Sequence, residues 1–149
     1  MTTLVILTFK RFSSMASKHP PLIYKGRSIG TVILTVAQLL IGIIHLLIGV
    51  LLLASEKSIL HATVAYDIYT VAFGALILVF AVLIWQGKKA GWVGTIVVSI
   101  FVSVADALTL LGLPSIPGIP KFAAPTEIGY SIMIVAYLLQ SHVRKKYFG

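Results

Sequence analysis

The chain contains no cysteine and no asparagine, and only four acidic residues stand among its 149. Without thiols there are no disulfides, no thiolate metal sites and no CxxC redox chemistry. That excludes the thiol-dependent quinone reductases and disulfide oxidases, which share a small four-helix format. Without asparagine there is no N-glycosylation sequon. Charged residues of both signs amount to 11% against 58% hydrophobic, and the mean hydropathy is +1.03. Such a chain would be insoluble as a globular domain and belongs with integral membrane proteins. No HExxH, P-loop, glycine-rich phosphate cradle or Ser-His-Asp spacing is present. His45 is the one histidine at depth in an apolar run, so one chain cannot hold a bis-histidine haem. The sequence therefore predicts no cofactor, no resident metal and no enzymatic activity. Lack of both thermolabile residues, beside abundant Ile, Leu and Val, suits a thermophilic prokaryote.

What is present is apolar sequence in four blocks. Runs of about 18 or more apolar residues read as transmembrane helices, and they fall near 30–53, 68–85 and 92–113. A fourth span is expected over 125–140, where "APTE" supplies a helix start with Pro125 in the first turn and Glu127 at the positive end. The expected fold is all-α: one four-helix membrane domain over 1–149, with a short "QGKKAG" turn making the second and third helices antiparallel neighbours.

Ten of the twelve Lys and Arg residues lie in three segments: 1–27, the "QGKK" turn and the tail "HVRKK". The positive-inside rule puts those segments, and both termini, in the cytoplasm of a plasma-membrane protein. The net charge of +8 then serves orientation and contact with anionic lipid. No basic–aromatic recognition module is present, so nucleic acid is not an expected partner. Trp85 and Trp92 bracket the inner turn as an aromatic belt. Within 1–20, Leu4, Val5, Phe9, Phe12 and Met15 fit a helix lying on the inner surface as well as they fit a basic tail. The segment is too weakly apolar for a signal peptide.

"GTVILTV" (30–36) returns as "GTIVVSI" (94–100), each opening an outward-running helix. Two related helical hairpins are one explanation; convergent patterning in apolar sequence is the other.

The outward-running helices carry polar stripes. Gln38, Gly42, His45 and Gly49 share one face of the first, and Thr95, Ser99, Ser103 and Asp106, prolonged by Thr109, share one face of the third. Polar faces turn inward in a bilayer because hydrocarbon offers no partners, so the first and third helices are expected to face each other. His45 and Asp106 then lie roughly 18–23 Å into their helices at 1.5 Å per residue, and are expected to pair. The pair reads as a polar clamp fixing register or as part of a proton or ion relay. A third reading has His45 bonding only a backbone carbonyl. Asp67 and Glu127 read as anions at the positive ends of returning helices. Tyr66, Tyr69 and Tyr130 read as interfacial anchors at the same level, or, with Asp67 and Glu127, as the outer rim of a polar pocket. The prolines at 114, 117, 120 and 125 predict a stiff polyproline-like strap whose Ile116, Ile119 and Phe122 pack on the bundle, the favoured reading, or dock a neighbouring protein.

"AQLLIGIIHLLIGVLLL" (37–53) resembles the first span of CD20-like tetraspanning proteins, with its glutamine, spaced glycines and histidine. The likeness covers about one span in four, and small prokaryotic four-helix membrane proteins look equally similar. Neither resemblance carries functional residues across; both imply tetraspanning topology. With so little mass outside the bilayer, the expected role is a non-enzymatic subunit or interaction protein, its partners being the lipid bilayer and other membrane subunits or itself. The rival is a small oligomeric channel or transporter with His45 and Asp106 on its path.

Overall fold

A computed structural model of the chain describes residues 23–24, 27–54 and 61–148; the segment 1–20, expected as an in-plane helix or tail, lies outside them. A two-residue antiparallel ladder, β1 (Ile23–Tyr24) on β2 (Arg27–Ser28), precedes α1 (Ile29–Ala54). Then come α2 (His61–Trp85), α3 (Lys89–Leu110), α4 (Ala124–Leu138) and the short α5 (Ser141–Phe148). Consecutive helices pack on one another, α1 on α2, α2 on α3 and α3 on α4. Apart from the ladder, the α2–α3 turn, the strap over 111–123 and the α4–α5 turn, the described chain is helical.

The first three helices are long and apolar enough to cross a membrane. At 26 residues α1 reaches about 39 Å, beyond the ~30 Å hydrocarbon core. Its outward side chains are aliphatic, Ile33, Leu40, Leu47 and Leu51 among them, each more than half exposed. That surface asks for lipid or protein rather than water. At 15 residues α4 covers only about 22 Å.

Ser28 caps α1: its Oγ accepts from the Thr31 amide at 3.4 Å. The turn between α2 and α3 is shorter than "QGKKAG" implied. Gly87 takes φ 73°, its N–H donates to Ile84 O, and the Lys88 N–H donates to Leu83 O, both at 2.9 Å. That is a Schellman stop, and it lets Lys89, Ala90 and Gly91 join α3.

The first helix does not chiefly face the third, contrary to expectation. It lies along α2 on a seam of small residues, Gly42 and Gly49 of α1 against Gly74 of α2. A methyl at Gly74 would stand 2.7 Å from the Leu46 amide nitrogen and 2.9 Å from the Gly42 carbonyl oxygen. Where backbones approach so closely, van der Waals contact replaces the hydrophobic drive that a bilayer cannot supply. The glycines of the stripe were therefore bound for the nearest neighbour in sequence.

At the basic end, a core of Leu34, Ile84, Ile134, Leu138, Val143 and Tyr147 draws α5 against the bundle. Trp92 Nε1 donates to Leu138 O at 2.9 Å, satisfying a carbonyl at the end of α4. The tail is thus a docked helix. At the other end the strap is no polyproline excursion. Ile119 N–H donates to Ile116 O at 3.5 Å with Gly118 at φ 97°, and Ala123 N–H donates to Pro120 O at 3.0 Å, so the spaced prolines sit in tight turns. Ile116 and Ile119 are half-buried while Phe122 is 87% exposed.

Candidate functional site

The polar face of α3 turns inward. Thr95, Ser99 and Asp106 are buried, and Ser103 and Thr109 half-buried. Gln38 of α1 reaches this face, its Nε2 donating to Thr95 Oγ1 at 3.4 Å, and makes the polar link between α1 and α3. Thr109 serves the strap instead. The Ser115 hydroxyl donates to Ala105 O at 2.9 Å and lies 2.9 Å from Thr109 Oγ1.

The expected His45–Asp106 hydrogen bond is not formed. His45 Nδ1 lies 2.8 Å from Ile41 O, one turn back on its own helix, and its ring meets Phe73 of α2 edge-on at 5.0 Å. The physical reason is the glycine seam, which rotates the histidine toward α2 and satisfies it locally. His45→Leu and Asp106→Leu should then shift thermal stability additively, as uncoupled sites do. A double-mutant coupling above ~0.5 kcal/mol in a detergent melt would restore the pair.

Asp106 has a different neighbour. It is fully buried, neither carboxylate oxygen has a hydrogen-bond partner among the described residues, and the Glu127 carboxyl of α4 stands beside it. Their helix positions are opposite in character: Glu127 is in the first turn of α4, where the dipole welcomes an anion, whereas Asp106 is four residues from the C-terminal end of α3, where it does not. Tyr66 and Tyr69 of α2 lie within electrostatic reach of both carboxyls, and Tyr66 within reach of Asp67. Of the expected outer rim, Tyr69 and Glu127 thus lie near Asp106, while Tyr130 lines a cavity deeper in.

Two expectations need correcting here. Asp67 is not in the first turn of its helix: α2 begins at His61, which carries Asp67 a turn further in, where it is buried beside Thr70. The tyrosines are not plain interfacial anchors, because the hydroxyls of Tyr69 and Tyr130 are buried and Tyr69 stacks on Phe73 at 5.8 Å.

Below the carboxyls lies a cavity of about 20 Å³ lined by Gln38, Thr95, Ser99, Tyr130, Ser131 and apolar neighbours, room for a single water. Gln38 Oε1 and Tyr130 Oη are buried there without a partner among the described residues. Toward the basic end, Thr35 Oγ1 donates to Thr31 O at 2.9 Å, and Ser28 Oγ and Thr31 Oγ1 lie 3.0 and 3.2 Å from Tyr137 Oη. A column of hydroxyl and amide groups therefore descends from Asp106 to Ser28. The sequence reading stopped at Gln38, although Thr31 and Thr35 continue its face at helical spacing. Ser131, Tyr137 and Ser115 stand alone in their segments and gave no periodic signal.

Comparison with family models, with curated proteins and with solved structures finds no match.

Proposed function

We propose that the chain is a small plasma-membrane protein of four membrane helices, both termini cytoplasmic, that takes up a proton or a monovalent cation at the Asp106–Glu127 pair. The observation that carries this is Asp106 itself: buried, unpartnered among the described residues, beside a second carboxyl and at the wrong end of a helix dipole. Two carboxylates so placed repel one another in a medium that screens poorly. One positive charge between them relieves that repulsion, and intramembrane acids commonly mark ion and proton paths. The hydroxyl column below, Tyr130 and Tyr137 included, offers a route without a further carboxyl or imidazole. In proteoliposomes carrying an imposed pH or potassium gradient, the wild type should dissipate it, and Asp106→Asn or Glu127→Gln should slow this at least about tenfold. A wild type as tight as empty liposomes would overturn the proposal.

A second reading, a non-enzymatic subunit of a larger membrane assembly, is favoured by the outer strap. Phe122 is 87% exposed and Leu111 71% exposed, apolar groups at the rim where a partner can cover them. Isolation in gentle detergent at native expression separates the two, since recovery only as a free monomer counts against the subunit.

A further inference from the structure

The basic end of the molecule carries a patch that the carboxyl site does not use. Two segments remote in sequence meet there. The α2–α3 turn presents Lys88, the first residue of α3 presents Lys89, and α5 presents Arg144, Lys145 and Lys146, all exposed. Their meeting is built rather than incidental. Val143 and Tyr147, 2% and 4% exposed, set the apolar side of α5 into the core, and Tyr147 Oη donates to Ile84 O at 3.4 Å. Phe148 meets Trp92 edge-on at 5.0 Å, while Lys89 Nζ stands 5.1 Å from the Phe148 ring centre, tying turn and helix together. The three described acids, Asp67, Asp106 and Glu127, belong to the opposite end of the molecule.

We propose that this patch is a binding site for the headgroup of an anionic phospholipid of the inner leaflet. A short helix with its apolar side in the protein and its cations outward lies where phosphodiesters lie, and cationic pockets at the inner ends of membrane helices suit them. The docking of α5 against the core and Trp92 distinguishes the patch from a loose basic tail, because the cations of both segments are carried on packed elements. The partly exposed Phe148 adds an apolar surface for the glycerol and upper acyl chain.

The test uses the full chain in neutral detergent. Phosphatidylglycerol, phosphatidylcholine or inorganic phosphate is added, and bound lipid is counted by native mass spectrometry beside a thermal melt. Phosphatidylglycerol should remain bound and raise the melting temperature by several degrees, and the other two additions should not. The double variants Lys88→Gln/Lys89→Gln and Arg144→Gln/Lys145→Gln should each bind it roughly thirtyfold more weakly, as expected for two cations removed near a charged surface. Lys121→Gln, at the opposite end, should bind as the wild type does. Equal retention of phosphatidylcholine, reproduction of the effect by phosphate alone, or an equal loss in the Lys121 variant would overturn the proposal. The lipid count decides even if a variant's own melting temperature moves.

Discussion

Gly74→Leu should separate α1 from α2 and cost more than about 3 kcal/mol, at the upper end of what overpacking does. The atoms in the way are the Leu46 amide nitrogen and the Gly42 carbonyl oxygen, backbone groups of a neighbouring helix that cannot rotate aside. The helices must move apart along the whole seam, which also lifts Gly49 from Val71 and pulls the Gln38 amide from Thr95. Even Gly74→Ala should be harmful. Gly129 provides the contrast: it is exposed, and an added methyl there meets nothing within 4 Å. Gly129→Ala should be neutral or stabilising by up to about 1 kcal/mol, the ordinary helix preference for alanine. Melting both variants in the same detergent checks the seam, and comparable behaviour of the two would refute it.

The second large effect runs in opposite directions for stability and function. Asp106→Leu should raise stability by on the order of 1–3 kcal/mol while abolishing gradient dissipation. The carboxylate is buried without a hydrogen-bond partner among the described residues, and replacing buried charged groups by apolar ones of similar bulk is often stabilising. Its removal also frees Glu127 of a like-charged neighbour. A purely structural aspartate predicts the reverse, a fall in stability from lost packing and lost partners. A melting temperature that drops together with activity would therefore remove Asp106 from the functional site and return it to the architecture.

Composition and period carried the helical architecture well, because a bilayer leaves few options for long apolar runs: the helices formed where the pattern placed them, shifted by a few residues. The inward turn of Thr95, Ser99 and Asp106 was legible for the same reason. Who met whom was not. His45 and Asp106 share a depth, but depth does not fix rotation, and rotation was decided by glycine contacts between α1 and α2 that a stripe of mixed glycine and polar residues conceals. Glu127 was discounted because a helix N-terminus explains an acid there, and that explanation is compatible with a second role toward α3. Asp67 was misplaced because α2 begins at His61, about two turns ahead of the apolar run that starts at 68.

If a cation binds at Asp106 as proposed, the position of this residue four residues from the C-terminal end of α3 sets how strongly a transmembrane voltage acts on it. Four residues of helix correspond to about 6 Å, roughly a fifth of a ~30 Å core. In the proposed orientation a cation arriving from outside falls through only that fraction of the field. With about 2.3 kcal/mol per charge per 100 mV across the full membrane, the site gains roughly 0.5 kcal/mol, about a twofold change in occupancy. Loading is then nearly indifferent to voltage, and most of the electrical work is left for the passage along the hydroxyl column to Ser28.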